Sequence, residues 1–462
     1  MPLDTKFSNC HIVTDDGVIG PDVAIGVEDG KIAALGTVDS VPDADETIDL
    51  EGHYLLPGLI DCHIHTRSPG YEYKEDWKTA TAAAAAGGVT TVIAMPNTDP
   101  LVDTPEHTAE MFEIADRDAI VDYQSYAVVT SDNLDQIAPL DEAGVAGYKV
   151  FLGTTFGGIE PPNDGELHEV MGEIAKTGKR LGFHEENDAI LSHYQAQFEA
   201  AGRNRPLDHS LSRPVIAEAE AVSRTTLLSE DTGCPVHMFH VSSGTCAEIV
   251  ARGKARGVNV TAETMPHYLW FTESVMEEKG NVARVQPPIR DEAERELLWE
   301  AGVHGDGIDC FATDHAPHSD EEKGYDDPFK NTWETISGFV GLQAELPAMA
   351  TFVHDGELPL QQWVFMHSTR PAQIWGMYPE KGTLKVGTDA DFTVYDPDHE
   401  WTLKRSDLYS KSKTSPFDGE TYTGKATKTV VRGQVVYDGE DVTGEPGDGE
   451  YVPVEDTCGP YP

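Results

Sequence analysis

The stretch LLPGLIDCHIHTRSPG, residues 55–70, decides the fold. Its apolar run reads as a strand, and His63 and His65 stand two apart directly after it. Residues i and i+2 of a strand share a face, so both imidazoles can reach one point at the strand's carboxyl end. That is a metal-ligand geometry, although two exposed histidines would give the same short pattern. The pattern gains weight from its sequel, because His184 in RLGFHEEND, His240 in PVHMFHVSSG and Asp314 in CFATDHAPH stand at or near the ends of later apolar runs.

Outward from this segment, over residues 55–371, short apolar runs alternate with helical stretches. TTVIAMP precedes TPEHTAEMFEIADRDA, VAGYKVFLG precedes GELHEVMGEIAKTGK, and PVHMFHVSS precedes TCAEIVARGKARG. Repeated strand-then-helix units imply a parallel sheet with right-handed crossovers, and this many favour a closed (β/α)8 TIM-like barrel in the α/β class. In such a barrel the carboxyl ends of different strands meet at one mouth, so the dispersed histidines and Asp314 become a cluster. Four imidazoles and a carboxylate suit Zn2+ or a similar divalent metal.

Residues 1–54 have another texture, with β-rich runs separated by Gly and Asp turns that read as a meander. The same texture returns over residues 372–450, in GTLKVGTDADFTVYDPDHEWTL and KTVVRGQVVYDGE, so both chain ends are expected to share one small β-sandwich domain. Residues 451–462 form an acidic, Pro- and Gly-rich tail expected to be poorly ordered.

Composition excludes several classes of function. The 462 residues carry 33 basic and 81 acidic side chains, a formal charge of −48, which repels phosphate backbones and anionic lipid headgroups. The acidic residues are spread along the chain, as expected of a surface adapted to high salt. No apolar run is long enough to cross a membrane and the N-terminus lacks a signal-peptide pattern, so a cytoplasmic protein is expected. Six cysteines without a CxxC pair argue against a disulfide framework or thiolate zinc site and read as small buried residues.

Lys149, inside the apolar run VAGYKVFLG, is the anomalous residue. A buried ammonium is costly unless paired, so this lysine either has a carboxylate partner or is chemically modified. A neutral amine can take up CO2 as a carbamate, whose two oxygens could bridge two metal ions.

Taken together, PGLIDCHIHTRSPGYEYKED, AAAAAGGVTTVIAMPNTDP, GYKVFLG, HSLSRPVIAEAEAVSR, FHVSSG, PHYLWFTE, QPPIRDEAERELLW, DGIDCFATDHAPHSDEEK and TSPFDG resemble the cyclic amidohydrolases of the amidohydrolase superfamily, and among them the dihydroorotases. The resemblance spans nearly the whole chain. It implies two divalent metal ions, most simply Zn2+. His63 and His65 would hold the more buried ion, His184 and His240 the second, Lys149 as its N6-carboxylated form would bridge, and Asp314 would complete the first site and shuttle the proton. It also implies ring opening of dihydroorotate, or its reversal in pyrimidine biosynthesis, by a homo-oligomer, either dimer or tetramer.

The metal set alone does not choose the ring, since hydantoinases or dihydropyrimidinases and allantoinases share it. Dihydroorotate differs in carrying a carboxylate, which calls for a forked cationic donor. Arg67 lies two residues past His65, Asn97 follows a strand in MPNT, and His318 stands four past Asp314. In similar proteins these three form the carboxylate-binding set, and a segment like that around Gly338 presents backbone groups to the ring. Each also has an ordinary local reading, as a surface ion pair, an Asx turn or a helix cap. Gln286 departs from the Asn found before Pro-Pro in many dihydroorotases. Gly157-Gly158 and Asn163-Asp164-Gly165 read as loops over the site or as plain turns. A noncatalytic scaffold of the dihydropyrimidinase type is the remaining alternative, against which the complete ligand set argues.

Overall fold

The computed structural model describes residues 3–14 and 17–455. Strands Leu59–Ile64 and Val89–Ala94 are buried along their whole length, as parallel strands covered on both faces must be. They pair in parallel with each other and then with Asp122–Ser125. The third strand continues as Ala127–Val128, which passes the ladder to Tyr148–Phe151. Leu181–His184, Val236–Met238, Val260–Thr264 and Cys310–Phe311 follow, each parallel to the one before. A parallel bridge between Ile64 and His315 joins the last strand to the first and closes the (β/α)8 barrel.

The helices between these strands have local causes. Trp77–Ala86 starts where the Asp76 side chain accepts the Thr79 N–H at 2.9 Å, runs through six alanines and stops at Gly87. Asp164–Ile174 carries a capping box, with the Asn163 side chain accepting the Glu166 N–H while the Glu166 side chain accepts the Asn163 N–H. The Asn163-Asp164-Gly165 sequence is therefore a helix start.

The chain ends meet in one eight-stranded mixed sheet. Leu3–Thr14, Gly17–Glu28 and Lys31–Thr37 form the expected antiparallel meander. The next two strands, Ala44–Asp49 and Tyr54–Pro57, instead cross back and pair in parallel with Leu3–Thr14. Tyr54–Pro57 then pairs antiparallel with Phe392–Thr402, which continues the sheet into Thr421–Val431 and Gln434–Tyr437. Phe7, Ile25, Leu55, Phe392 and Val430 fill a core separate from that of the barrel.

Lys381 fastens this domain beneath the barrel. Its ammonium lies 2.6 Å from Asp391 and 2.9 Å from Asp389, and it also pairs with Asp122 at the start of the third barrel strand. The first residues of the acidic tail pack against the barrel: Val452 N–H donates to Tyr123 O at 3.0 Å and Tyr451 Oη donates to Gly144 O at 2.8 Å. Expected disorder thus does not hold for residues 451–455, because an aromatic ring and main-chain bonds anchor them; the rest of the tail, with Cys458, lies outside the described residues. The other five cysteines are free and buried. No helix among the described residues is long and apolar enough to cross a membrane.

Candidate functional site

At the carboxyl ends of the barrel strands lies a narrow cleft. His63, His65, Arg67, Asn97, Lys149, His184, His240, Gln286, Asp314 and Gly338 all line it, so residues dispersed over the sequence share one mouth. His318 does not line it and stands behind Arg67, with its Nε2 3.1 Å from Arg67 Nη2. Backbone strain gathers here, since Arg67, His240 and Asp314 have φ of 60°, 39° and 47°. Non-glycine residues rarely adopt this region, and function is a common reason for retaining it.

His63, His65 and Asp314 bring ligand atoms within 4.8 Å of one another. Asp314 Oδ1 is 3.4 Å from His63 Nε2 and 3.2 Å from His65 Nε2. Across the cleft, His184 Nδ1 and His240 Nε2 face each other at 2.9 Å. The outer ring nitrogens are held by acceptors. His63 Nδ1 donates to Glu263 at 2.6 Å, His65 Nδ1 to Asn97 Oδ1 at 2.8 Å, and His184 Nε2 to Glu186 at 3.0 Å. Arg213 pairs with Glu186 and, outweighing burial, holds that carboxyl down at about 2.

Burial is the main cause that lowers the pKa of all four histidines, well below the ordinary value for His63, His65 and His240. Three of them, His63, His65 and His184, have the outer nitrogen held by an acceptor, which turns the other nitrogen toward the cleft, while His240 Nδ1 has no hydrogen-bond partner. That donor set fits divalent metal ions of borderline softness.

Lys149 is 1% exposed, and among the described residues no carboxylate is within ion-pair distance of its ammonium. Phe239 and Phe151 flank it instead, with ring centroids 4.0 and 5.0 Å from Nζ. Burial brings its pKa down to about 8. Burial also pushes the Asp314 carboxyl up to about 8, opposed by Lys149 and Arg67.

Arg67 is 2% exposed and donates from Nε to Pro317 O at 3.1 Å, while its Nη1 has no partner. Asn97 has its amide orientation set from both sides, with Oδ1 on His65 and Nδ2 donating to Phe156 O at 3.4 Å. Phe156 lies over Arg67, 4.9 Å from its guanidinium carbon. Gly338 has φ 115°, and a Cβ there would sit 2.6 Å from Ala316 O.

The family pattern of the amidohydrolases matches residues 54–436, most of the chain and the whole barrel. The chain belongs to the amidohydrolase family. It is 35% identical to an L-hydantoinase of Paenarthrobacter aurescens over 97% of this chain and 98% of the relative. It is 38% identical to a dihydroorotase of Geobacter sp. (strain M21) over 89% and 94% of the two chains. An allantoinase of Deinococcus radiodurans is 35% identical over 96% and 98%. Among solved structures, an L-hydantoinase (dihydropyrimidinase) from Arthrobacter aurescens superposes with a TM-score of 0.94 at 34% identity, over 98% of this chain and 100% of that one.

This amidohydrolase is a hydrolase acting on cyclic amides, and members of its family use a binuclear metal centre. Three contributors escaped the reading of its sequence: Glu263, Glu186 and Lys74, whose Nζ is 3.1 Å from His318 Nδ1. Glu263 had a legible signal, a charge inside the run VTAET, the same anomaly that exposed Lys149. Glu186 and Lys74 look like ordinary surface charges until the fold buries them.

Proposed function

We propose that the chain is a dihydroorotase, closing N-carbamoyl-L-aspartate to (S)-dihydroorotate in pyrimidine biosynthesis and catalysing the reverse. One observation carries this choice: Arg67, buried at the cleft, keeps the Nη1 donor unpartnered and, among the described residues, has no carboxylate in ion-pair contact. An unmatched buried guanidinium is costly, and a ring carboxylate would satisfy it. Hydantoin, dihydrouracil and allantoin lack that group.

In this reading His63, His65 and Asp314 would hold one divalent ion and His184 and His240 another, with N6-carboxylated Lys149 as a further anionic ligand. The missing carboxylate partner of Lys149 supports that modification, which supplies the negative charge the ammonium lacks. When bound, the two ions, most simply Zn2+, provide Lewis acidity at the ring carbonyl and make water nucleophilic at neutral pH. Asp314 takes the proton of the attacking water and delivers it to the departing ring nitrogen; in the biosynthetic direction it removes the proton from the carbamoyl nitrogen. Arg67 and the Asn97 Nδ2 donor grip the carboxylate remote from the reacting bond, and the main chain near Gly338 borders the ring. His318 acts by backing Arg67. Gln286 borders the same cleft.

We further propose a cytoplasmic homo-oligomer; the distributed charge of −48 supports adaptation to high salt and small molecules rather than nucleic acid or membranes as partners. Hydantoinase activity is the second reading, favoured by the TM-score of 0.94 to an L-hydantoinase. Hydrolysis of dihydroorotate, dihydrouracil, hydantoin and allantoin, compared side by side in molar KCl with added zinc, separates them. Strong preference for dihydroorotate is expected, and preference for a neutral ring would overturn the substrate assignment.

A further inference from the structure

Glu263 on the seventh barrel strand is fully buried beneath the cleft. One oxygen accepts from His63 Nδ1 at 2.6 Å and from the His240 backbone N–H at 3.3 Å. The other accepts from the Cys62 thiol at 3.1 Å and from His237 Nε2 at 3.3 Å. His65 and His184 have separate acceptors in Asn97 and Glu186, each serving one candidate ligand. Glu263 touches a ligand from each half of the centre.

We propose that Glu263 is a positioning residue for both metal positions, holding the His63 tautomer and the left-handed turn that aims His240. A neutral imidazole has one N–H, so the proton held on Nδ1 by Glu263 leaves the lone pair on Nε2, the atom facing Asp314. At His240, φ is 39°, a conformation a non-glycine residue keeps only with support. The bond from its own N–H to Glu263 supplies support at that residue. Carboxylates behind ligating imidazoles fix ring orientation and raise ligand basicity, and their loss commonly weakens metal binding about 10- to 100-fold.

The inference rests on the binuclear reading, so the wild-type protein is measured alongside the variants. Glu263→Met removes the acceptor at similar length, whereas Glu263→Gln keeps one acceptor oxygen, which can face His63 while its amide faces Cys62 and His237. Affinity for Zn2+ is read by chelator competition on folded protein, and coordination by the visible spectrum after Co2+ substitution. We expect E263M to bind at least one ion about 10-fold or more weakly with an altered Co2+ spectrum, and E263Q to recover most of both. A folded E263M with wild-type affinity and spectrum would overturn the positioning role. If E263M does not fold, the same loss is expected of Glu263→Asp, whose carboxylate is one methylene short of His63, and wild-type binding by that variant would likewise overturn it. A wild-type chain that takes up no stoichiometric metal overturns the metal reading itself and Glu263's role with it.

Discussion

Asn97 shows how much one side chain can join. Its Oδ1 accepts from His65 at 2.8 Å, so its Nδ2 can only turn toward Phe156 and the cleft. Asn97→Asp keeps an acceptor for His65 but places a carboxylate oxygen where the donor was. Metal content should therefore stay at the wild-type level while KM for dihydroorotate rises about 10-fold or more, the worth of a charge-assisted bond. Loss of metal with unchanged KM would show that the residue serves only His65. Arg67→Met should raise KM still more and also leave metal content alone, since Arg67 touches Pro317 and His318 but no candidate ligand. Both variants need steady-state kinetics together with elemental analysis of the same preparation.

Among the elements, the fifth barrel strand needs a glycine for the lysine pocket. Gly182 stands between Lys149 and His237 in register, and a Cβ on it would lie 1.9 Å from the Phe239 ring. That ring lies under Lys149 Nζ and stacks on Trp375. Gly182→Ala should cost about 3 kcal/mol, the upper end for overpacking. Gly172, inside helix Asp164–Ile174 with nothing near its missing Cβ, offers the opposite case. Gly172→Ala should gain about 0.5–1 kcal/mol in the same denaturant titration.

Helix Trp77–Ala86 carries its own acid sensitivity. Burial pushes Asp76 up, but the Lys411 ammonium and the Thr79 donors outweigh it and hold the carboxyl below its ordinary value. A depressed carboxyl contributes stability above its unfolded pKa and loses it as pH falls through the folded value. Asp76→Ala should cost about 1 kcal/mol at neutral pH, with the gap to wild type narrowing below about pH 4. A gap independent of pH would mean the ionised cap contributes nothing beyond its shape.

At the scale of the whole molecule, the charge of −48 is the dominant long-range term. Self-repulsion on this scale is screened only when the Debye length falls to a few ångströms, near molar salt. The thermal unfolding midpoint should rise as KCl goes from about 0.1 to 2 M, with activity following it. A flat or falling midpoint would remove the high-salt reading while leaving the site untouched.

Much of this molecule was legible in its residues. The strand-then-helix alternation announced the barrel, and the His63–His65 pair with His184, His240, Lys149 and Asp314 announced the mouth they line, because imidazoles, a lysine and a carboxylate at the ends of apolar strands are chemically unusual wherever they occur. The parallel return of Ala44–Asp49 and Tyr54–Pro57 was not legible, since local turn residues do not specify which edge a strand joins. Nor were the roles of Glu186 and Lys381, each an ordinary charge in the sequence, whereas Glu263 stood out only as a charge inside an apolar run. Sequence alone determined the architecture and the chemistry-bearing residue types, through periodicity and composition. Tertiary structure alone decided which charges are buried, which protons each ring keeps and which donors stay free, because those depend on partners hundreds of residues away.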